Sequence, residues 1–297
     1  MIDRTGFTYP TPDETGMALN QGVRIAWKRY GEGPQSILFM PTWNFVDSRV
    51  LRHQVVGLRD RFRLITYDAR GSGESDHPGV GYRFDDHASD ALAVMEATRT
   101  LTASIVAASA GTHAAVLMAT RHPELVERLV LIVPPMDLVV SDATPVPARP
   151  ISTSGDDDPG VVPPAWRTDY AAFVDWFLAE VFSEPGSAST IAEVTSIALE
   201  ADHDMLVQQA TELDWDAAPA VLHEIRCQTL VIHGEADRTL DVATVRAVVE
   251  RIPGARLALL AGLGHRPDIR RPDIVNPILA EFVTGSKGRR PPRYPDP

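Results

Sequence analysis

Three residues in this chain, Ser109, Asp237 and His265, have the types and settings that nucleophilic catalysis requires. Ser109 stands in Ala107-Ala108-Ser109-Ala110-Gly111, between the apolar run Ile105-Val106 and a helix-like run from His113 to Ala119. A serine between small residues at a sharp strand-to-helix turn is a nucleophile elbow. The turn strains the serine backbone, and bulky neighbours would collide with the facing strand and helix. The commonest form is G-x-S-x-G; here Ala107 replaces the first glycine. Read alone, the segment also fits a serine capping a helix after a strand.

Asp237 lies in Val231-Ile232-His233-Gly234-Glu235-Ala236-Asp237-Arg238, just past an apolar run. His265 lies in Gly262-Leu263-Gly264-His265-Arg266-Pro267, after the strand-like Leu257-Ala258-Leu259-Leu260. A serine hydroxyl is a weak nucleophile near neutral pH and needs a base within hydrogen-bond reach. His265 could take its proton and return it to a leaving group. Asp237 could fix the imidazole tautomer and stabilise the imidazolium. Taken singly, each has a plainer reading: His265 as a loop histidine, Asp237 as the cap of a helix beginning near Asp241.

The elements around these residues alternate. Val23 to Trp27, Ser36 to Met40, Phe62 to Tyr67, Ile105 to Ala107, Leu129 to Val133 and Gln228 to Ile232 read as strands. Ser48 to Leu58 and Asp85 to Thr98 read as helices. Such alternation predicts a mostly parallel sheet with helices on both faces. Between Asp137 and Glu224 the pattern changes. A proline-rich stretch with the acidic turn Asp156-Asp157-Asp158 leads into an amphipathic helix carrying Trp166, Tyr170, Phe173, Val174, Phe177, Leu178 and Val181. A second helical stretch runs from about Ser189 to Leu213. We read 137–224 as a helical cap inserted after the sixth strand, over the C-terminal edge of the sheet, with the aromatic stripe as cap core. Residues 1–136 and 225–284 form the core, and the composition of 285–297 reads as a disordered tail.

With Tyr67-Asp68-Ala69-Arg70-Gly71-Ser72-Gly73-Glu74-Ser75-Asp76 after the Phe62 strand, these motifs resemble the α/β-hydrolase fold superfamily over about residues 15 to 284. The order Ser109, Asp237, His265 is that superfamily's triad order. The resemblance implies an oxyanion hole of two backbone N–H groups. One comes from Ala110, the other from the loop after the Ser36–Met40 strand. Many relatives carry His-Gly there; this chain has Pro41-Thr42-Trp43. Pro41 cannot donate, so Trp43 is the expected donor, with Thr42 the nearby alternative. Thr42 and Trp43 are also the expected substrate contacts, although Trp43 equally fits core packing. Some members place the acid after the earlier strand, which makes Asp137 the alternative to Asp237. A serine argues against branches with an aspartate nucleophile, such as haloalkane dehalogenases and epoxide hydrolases. The segments from Pro41 to Asp76 and from Gly264 to Pro272 look like an actinobacterial group of single-domain hydrolases whose substrates are poorly defined.

The activity so implied is cleavage of a carboxylic ester, thioester or lactone through an acyl-enzyme, with a small to medium, fairly apolar acyl group. Three alternatives stay open. They are hydrolysis of a carbon–carbon bond, a non-hydrolytic cyclisation or elimination that leans on His265, and a ligand-binding receptor on the same fold.

Composition narrows the partners. The 297 residues carry a formal charge of −12, with 44% hydrophobic and 23% charged residues, which argues against nucleic acid or anionic membrane as the main partner. A small-molecule substrate is expected; assembly is left open, a homodimer included. No apolar run reaches the length of a membrane span and the N-terminus lacks a secretory signal pattern, so a cytoplasmic protein is expected. A single cysteine excludes an internal disulfide, and Cys227 reads as a small buried hydrophobe. There is no H-E-x-x-H, C-x-x-C or G-x-G-x-x-G pattern, so neither metal nor cofactor is expected. His113 is expected in the core, and Asp68 and Arg70 as braces of their loop.

Overall fold

In the computed structural model, which describes residues 7–136 and 169–285, the alternation becomes one eight-stranded sheet. Its strands are β1 Glu14–Asn20, β2 Val23–Tyr30, β3 Ser36–Phe39, β4 Arg63–Tyr67, β5 Ala103–Ala108, β6 Val126–Ile132, β7 Gln228–Gly234 and β8 Arg256–Leu260. They lie in the order β1-β2-β4-β3-β5-β6-β7-β8. β1 and β2 form a hairpin whose two turn residues, Gln21 and Gly22, both have positive φ, as a type I′ turn requires. β2 also pairs antiparallel with β4, and the remaining pairs are parallel. β5 is buried at all six positions and apolar at all but Ser104, as a strand covered by helices on both faces needs.

The helices are α1 Arg52–Leu58, entered through a 3₁₀ turn over Ser48–Leu51, then α2 Phe84–Ala97 and α3 Gly111–Arg121. Between β6 and β7 come α4 Tyr170–Val181, α5 Ala188–Ala198, α6 His203–Glu212 and α7 Ala217–Val221. After β7 follow α8 Val242–Arg251, α9 Pro267–Arg270 and α10 Pro272–Thr284. The helical stretch read from Ser189 to Leu213 is in fact two helices. The Asp202 carboxylate accepts from Asp204 N and Met205 N, capping a new N-terminus where the sequence periodicity alone shows no break. Cys227 is half-buried rather than buried, and its burial pushes the thiol pKa up. Asp137, Trp166, the acidic turn and the tail beyond Gly285 lie outside the described residues.

The inserted helices are tied to the core by charge and by apolar contact. Arg49 bonds both Asp47 and Glu200 at 2.7 Å, Arg52 pairs with Glu193, and Arg83 pairs with Asp214 at 2.8 Å. Glu212 accepts from Gly81 N and Tyr82 N. Beneath them the loop after β4 is braced as expected. Asp68 accepts from Ser48 N, Glu74 N and Lys28 Nζ. Arg70 binds Asp90 through two 2.7 Å bonds. That pair is buried, and removing one partner alone would strand a charge at a cost of about 3–5 kcal/mol.

Candidate active site

The site is assembled from the C-terminal ends of three parallel strands. Ser109 follows β5 with φ 51°, a left-handed conformation that a non-glycine residue holds only when its surroundings impose it. The imposing contacts are visible. Ser109 N donates to Ile132 O on β6, and Ser109 O accepts from Thr112 N and the Thr112 hydroxyl as α3 begins. Gly111 is needed because a Cβ there would lie 2.0 Å from Pro41 O. The elbow and the loop after β3 therefore touch backbone to backbone.

Asp237 and His265 are brought together in the same manner. A Cβ at Gly234, the last residue of β7, would lie 2.2 Å from Leu263 O. The bare glycine lets the histidine loop pass against the acid loop, and Ala236 N donates to Leu263 O. His265 Nε2 stands 3.0 Å from Ser109 Oγ, and His265 Nδ1 stands 2.9 Å from Asp237 Oδ2. The acid's other oxygen, Oδ1, accepts from Thr239 N, the Thr239 hydroxyl and Leu240 N. Burial pushes the Asp237 pKa up, but the neighbouring His265 and these donors outweigh it and hold the carboxyl below its ordinary value. Asp237 is no helix cap: Asp241 caps α8 by accepting from Thr244 N.

Sequence reasoning missed three contributors. Thr239 touches both the acid and the imidazole, its hydroxyl lying 2.7 Å from His265 Nδ1. The signal available was a threonine two residues past an acid, which can close an Asx-type turn. Glu184, from the insertion, accepts from Gly264 N at 2.8 Å, directly before His265. Arg266 is held by Asp268 through bonds of 2.9 and 2.7 Å. No local pattern marks either of these last two.

Ser109 and His265 open on a cavity of about 370 Å³ lined by Thr42, Trp43 and Phe45 of the β3 loop and by Phe177, Leu178 and Val181 of α4. Trp43 does both things its sequence position allowed. It packs edge-on against Phe45 and Phe177 at 5.3 and 5.4 Å, and it lines the cavity. The aromatic stripe of α4 is likewise shared between insertion core and cavity wall. Ala110, Thr42 and Trp43 border a second cavity, which Ser109 and His265 do not line. Ala110 leads into α3, where the first N–H groups of a helix have no partner within it. His113 is buried in the core, stacked on Phe84, and His233 is buried with its Nδ1 4.0 Å from Asp237 Oδ2. No group of three metal-ligating side chains occurs among the described residues. No helix there is long and apolar enough to cross a membrane.

A serine at a strained strand–helix turn, with a histidine and a buried acid delivered by later strands, defines a hydrolase of the α/β class. Residues 45–267 match the family model for the alpha/beta hydrolase fold, and the chain belongs to that family. Among curated relatives it is 28% identical over 240 residues to a putative non-heme chloroperoxidase of Synechocystis, covering 77% of this chain and 84% of that one. It is 24% identical to a 2-(acetamidomethylene)succinate hydrolase of Mesorhizobium japonicum, covering 88% and 92%. Among solved structures, an esterase from Exiguobacterium antarcticum superposes with a TM-score of 0.79 at 21% identity, over 91% of this chain and 98% of that one. An enol-lactonase from Burkholderia xenovorans LB400 gives 0.77 at 22%, over 91% and 100%. At those identities the structural likeness speaks to the fold.

Proposed function

We propose that the protein is a serine hydrolase that cleaves a carboxylic ester, thioester or lactone through an acyl-enzyme on Ser109. The observation that carries this reading is the unbroken line Ser109 Oγ–His265 Nε2 at 3.0 Å and His265 Nδ1–Asp237 Oδ2 at 2.9 Å. His265 takes the Ser109 proton as Oγ attacks the acyl carbon, while Asp237 holds the imidazole in the tautomer with its proton on Nδ1 and stabilises the imidazolium. The negative oxygen of the tetrahedral intermediate is assigned to the N–H groups of Ala110 and Trp43, with Thr42 the neighbouring alternative. Collapse expels the leaving group, which receives the proton from His265. Water, activated by the same imidazole, then releases the acid.

Phe45, Phe177 and Val181 beside Ser109 favour a small to medium substrate with an apolar portion, and the helices between β6 and β7 act as the cap that encloses it. Thr42 and Trp43 are the wall residues it meets. The test is intact-mass measurement after a fluorophosphonate, on wild type and Ser109→Ala, followed by a p-nitrophenyl ester series. Labelling and turnover in wild type and neither in the variant is the expected result. A folded wild type that takes no label would sink the acyl-enzyme. If Ser109→Ala retained turnover that His265→Ala lost, base-only chemistry would replace it.

A further inference from the structure

Trp43, whose N–H is assigned to the oxyanion hole, carries its indole in a closed triangle of rings. Its centroid lies 5.3 Å from that of Phe45 and 5.4 Å from that of Phe177, each pair at 83°. Phe45 and Phe177 close the triangle at 5.5 Å and 79°. All three contacts are edge-to-face, an arrangement aromatic pairs favour, and all three side chains are buried. Trp43 and Phe45 belong to the loop after β3, whereas Phe177 belongs to α4 of the insertion. Phe173, one turn earlier on α4, stacks on Phe177 at 5.7 Å and 11°. We propose that Phe177 is a positioning residue: through this triangle the insertion fixes the Trp43 N–H where the oxyanion forms.

This positioning role rests on the serine-hydrolase reading and its assigned oxyanion donors. The two donors are held in different ways. Ala110 already has helical backbone angles at the start of α3, so the elbow and the helix of the core set its N–H. The other donor sits in a loop that the core grips on either side of Trp43. Pro41 O lies against Gly111, Asn44 Nδ2 donates to Arg70 O at 2.6 Å, and the Ser72 hydroxyl donates to Val46 O at 3.0 Å. Trp43 stands between these grips, with its indole edge-on to one ring of its own loop and one of the insertion. A clamped indole leaves its own backbone little freedom to turn the N–H. An oxyanion donor works only at hydrogen-bond distance from the developing charge, and a misplacement of about 1 Å can cost about a hundredfold. Phe177 also lines the cavity beside Ser109, so a ring that holds the loop has to be told apart from a wall that touches substrate.

The test measures wild type, Phe177→Leu and Phe173→Leu with p-nitrophenyl acetate, butyrate and hexanoate, and with trifluoromethyl ketones of matching chain length. Ser109 Oγ adds to the ketone carbon, the carbonyl electron pair moves onto oxygen, the serine proton passes to His265 and nothing leaves. Ketone affinity therefore reads the oxyanion hole. Turnover is expressed per site labelled by a fluorophosphonate, which discounts any unfolded fraction. Phe177→Leu keeps an apolar wall and loses the ring. It is expected to lower kcat about tenfold and to weaken the ketones by the same factor at every chain length, with KM little changed. Phe173→Leu, at a position that does not line the cavity, should lower both in the same proportion by a smaller factor. It carries the test if Phe177→Leu does not fold. Losses that grow with chain length, as for a wall that touches substrate, overturn the proposal, and so do unchanged kcat and ketone affinity in the folded variants. A labelled wild type with either of those results loses only the positioning role. An unlabelled wild type loses the serine-hydrolase reading and the role with it.

Discussion

Thr239 holds the carboxylate oxygen of Asp237 that His265 leaves free: its N–H and its hydroxyl reach Oδ1 at 2.8 and 2.9 Å while His265 Nδ1 takes Oδ2. The same hydroxyl lies 2.7 Å from His265 Nδ1, so one side chain sets the relative position of acid and base.

Thr239→Val keeps the shape and the backbone N–H and removes only the hydroxyl. Losing one hydrogen bond in a positioning role is expected to lower kcat by about tenfold, with KM little changed because Thr239 does not line the cavity beside Ser109. Thr239→Ser, which restores the hydroxyl, should recover most of the rate. Steady-state kinetics on one ester decide it, and a Val variant at wild-type kcat would reduce Thr239 to turn filler.

Gly111→Ala should separate activity from stability. The added Cβ would meet Pro41 O at 2.0 Å, which forces the Pro41-Thr42-Trp43 loop, the proposed source of one oxyanion donor, away from the elbow. Overpacking of one methyl costs about 1–3 kcal/mol, tolerable for a domain of this size, whereas displaced donors cost about a hundredfold or more in kcat. Thermal melts together with turnover measure both. A variant that unfolds before it loses activity would show that the loop tolerates the shift.

How much of this was legible in the chain depends on the range of the causes. Ser109 stood out because it sits at a strand end between the small residues its turn requires, Asp237 and His265 because each follows an apolar strand in the superfamily's triad order, and Gly111 and Gly234 are local marks of close approach. The parallel sheet followed from the alternation of short apolar runs, such as Ile105–Ala108, with helical stretches. Glu184 on Gly264 N joins positions 80 residues apart, and no periodicity within either segment announces it. The break between α5 and α6 was hidden because apolar spacing continues through Leu199 and Met205, and its local mark is the Asp202 side chain that caps the start of α6.

Glu184→Ala should loosen the base from outside the core. Its carboxylate accepts from Gly264 N at 2.8 Å, beside His265, and its removal leaves that N–H without an acceptor. Serine labelling by a fluorophosphonate is expected to slow by about tenfold, while the chain-length preference of the ester series stays as in wild type. Glu184→Gln retains an acceptor and should label near the wild-type rate. Equal rates in the alanine variant would detach the insertion from the chemistry.

His113 makes stability depend on pH in a stated direction. It is fully buried, stacked on Phe84 at 4.5 Å, with Nε2 3.1 Å from Pro135 O and Nδ1 unpartnered. Burial lowers its pKa to about 4 from the ordinary 6.5, so in the folded state it stays neutral where the unfolded chain has already bound a proton. Between those two values the unfolded state carries the extra proton, and stability falls as pH falls from about 6.5 toward 4; outside that window this residue contributes no slope. The loss is at most ~3 kcal/mol. Urea midpoints from pH 7 down to 4.5 should decline for wild type and decline less steeply for His113→Gln, whose side chain can still donate to Pro135 O but does not titrate. Parallel declines in the two proteins would move the acid sensitivity elsewhere in the molecule.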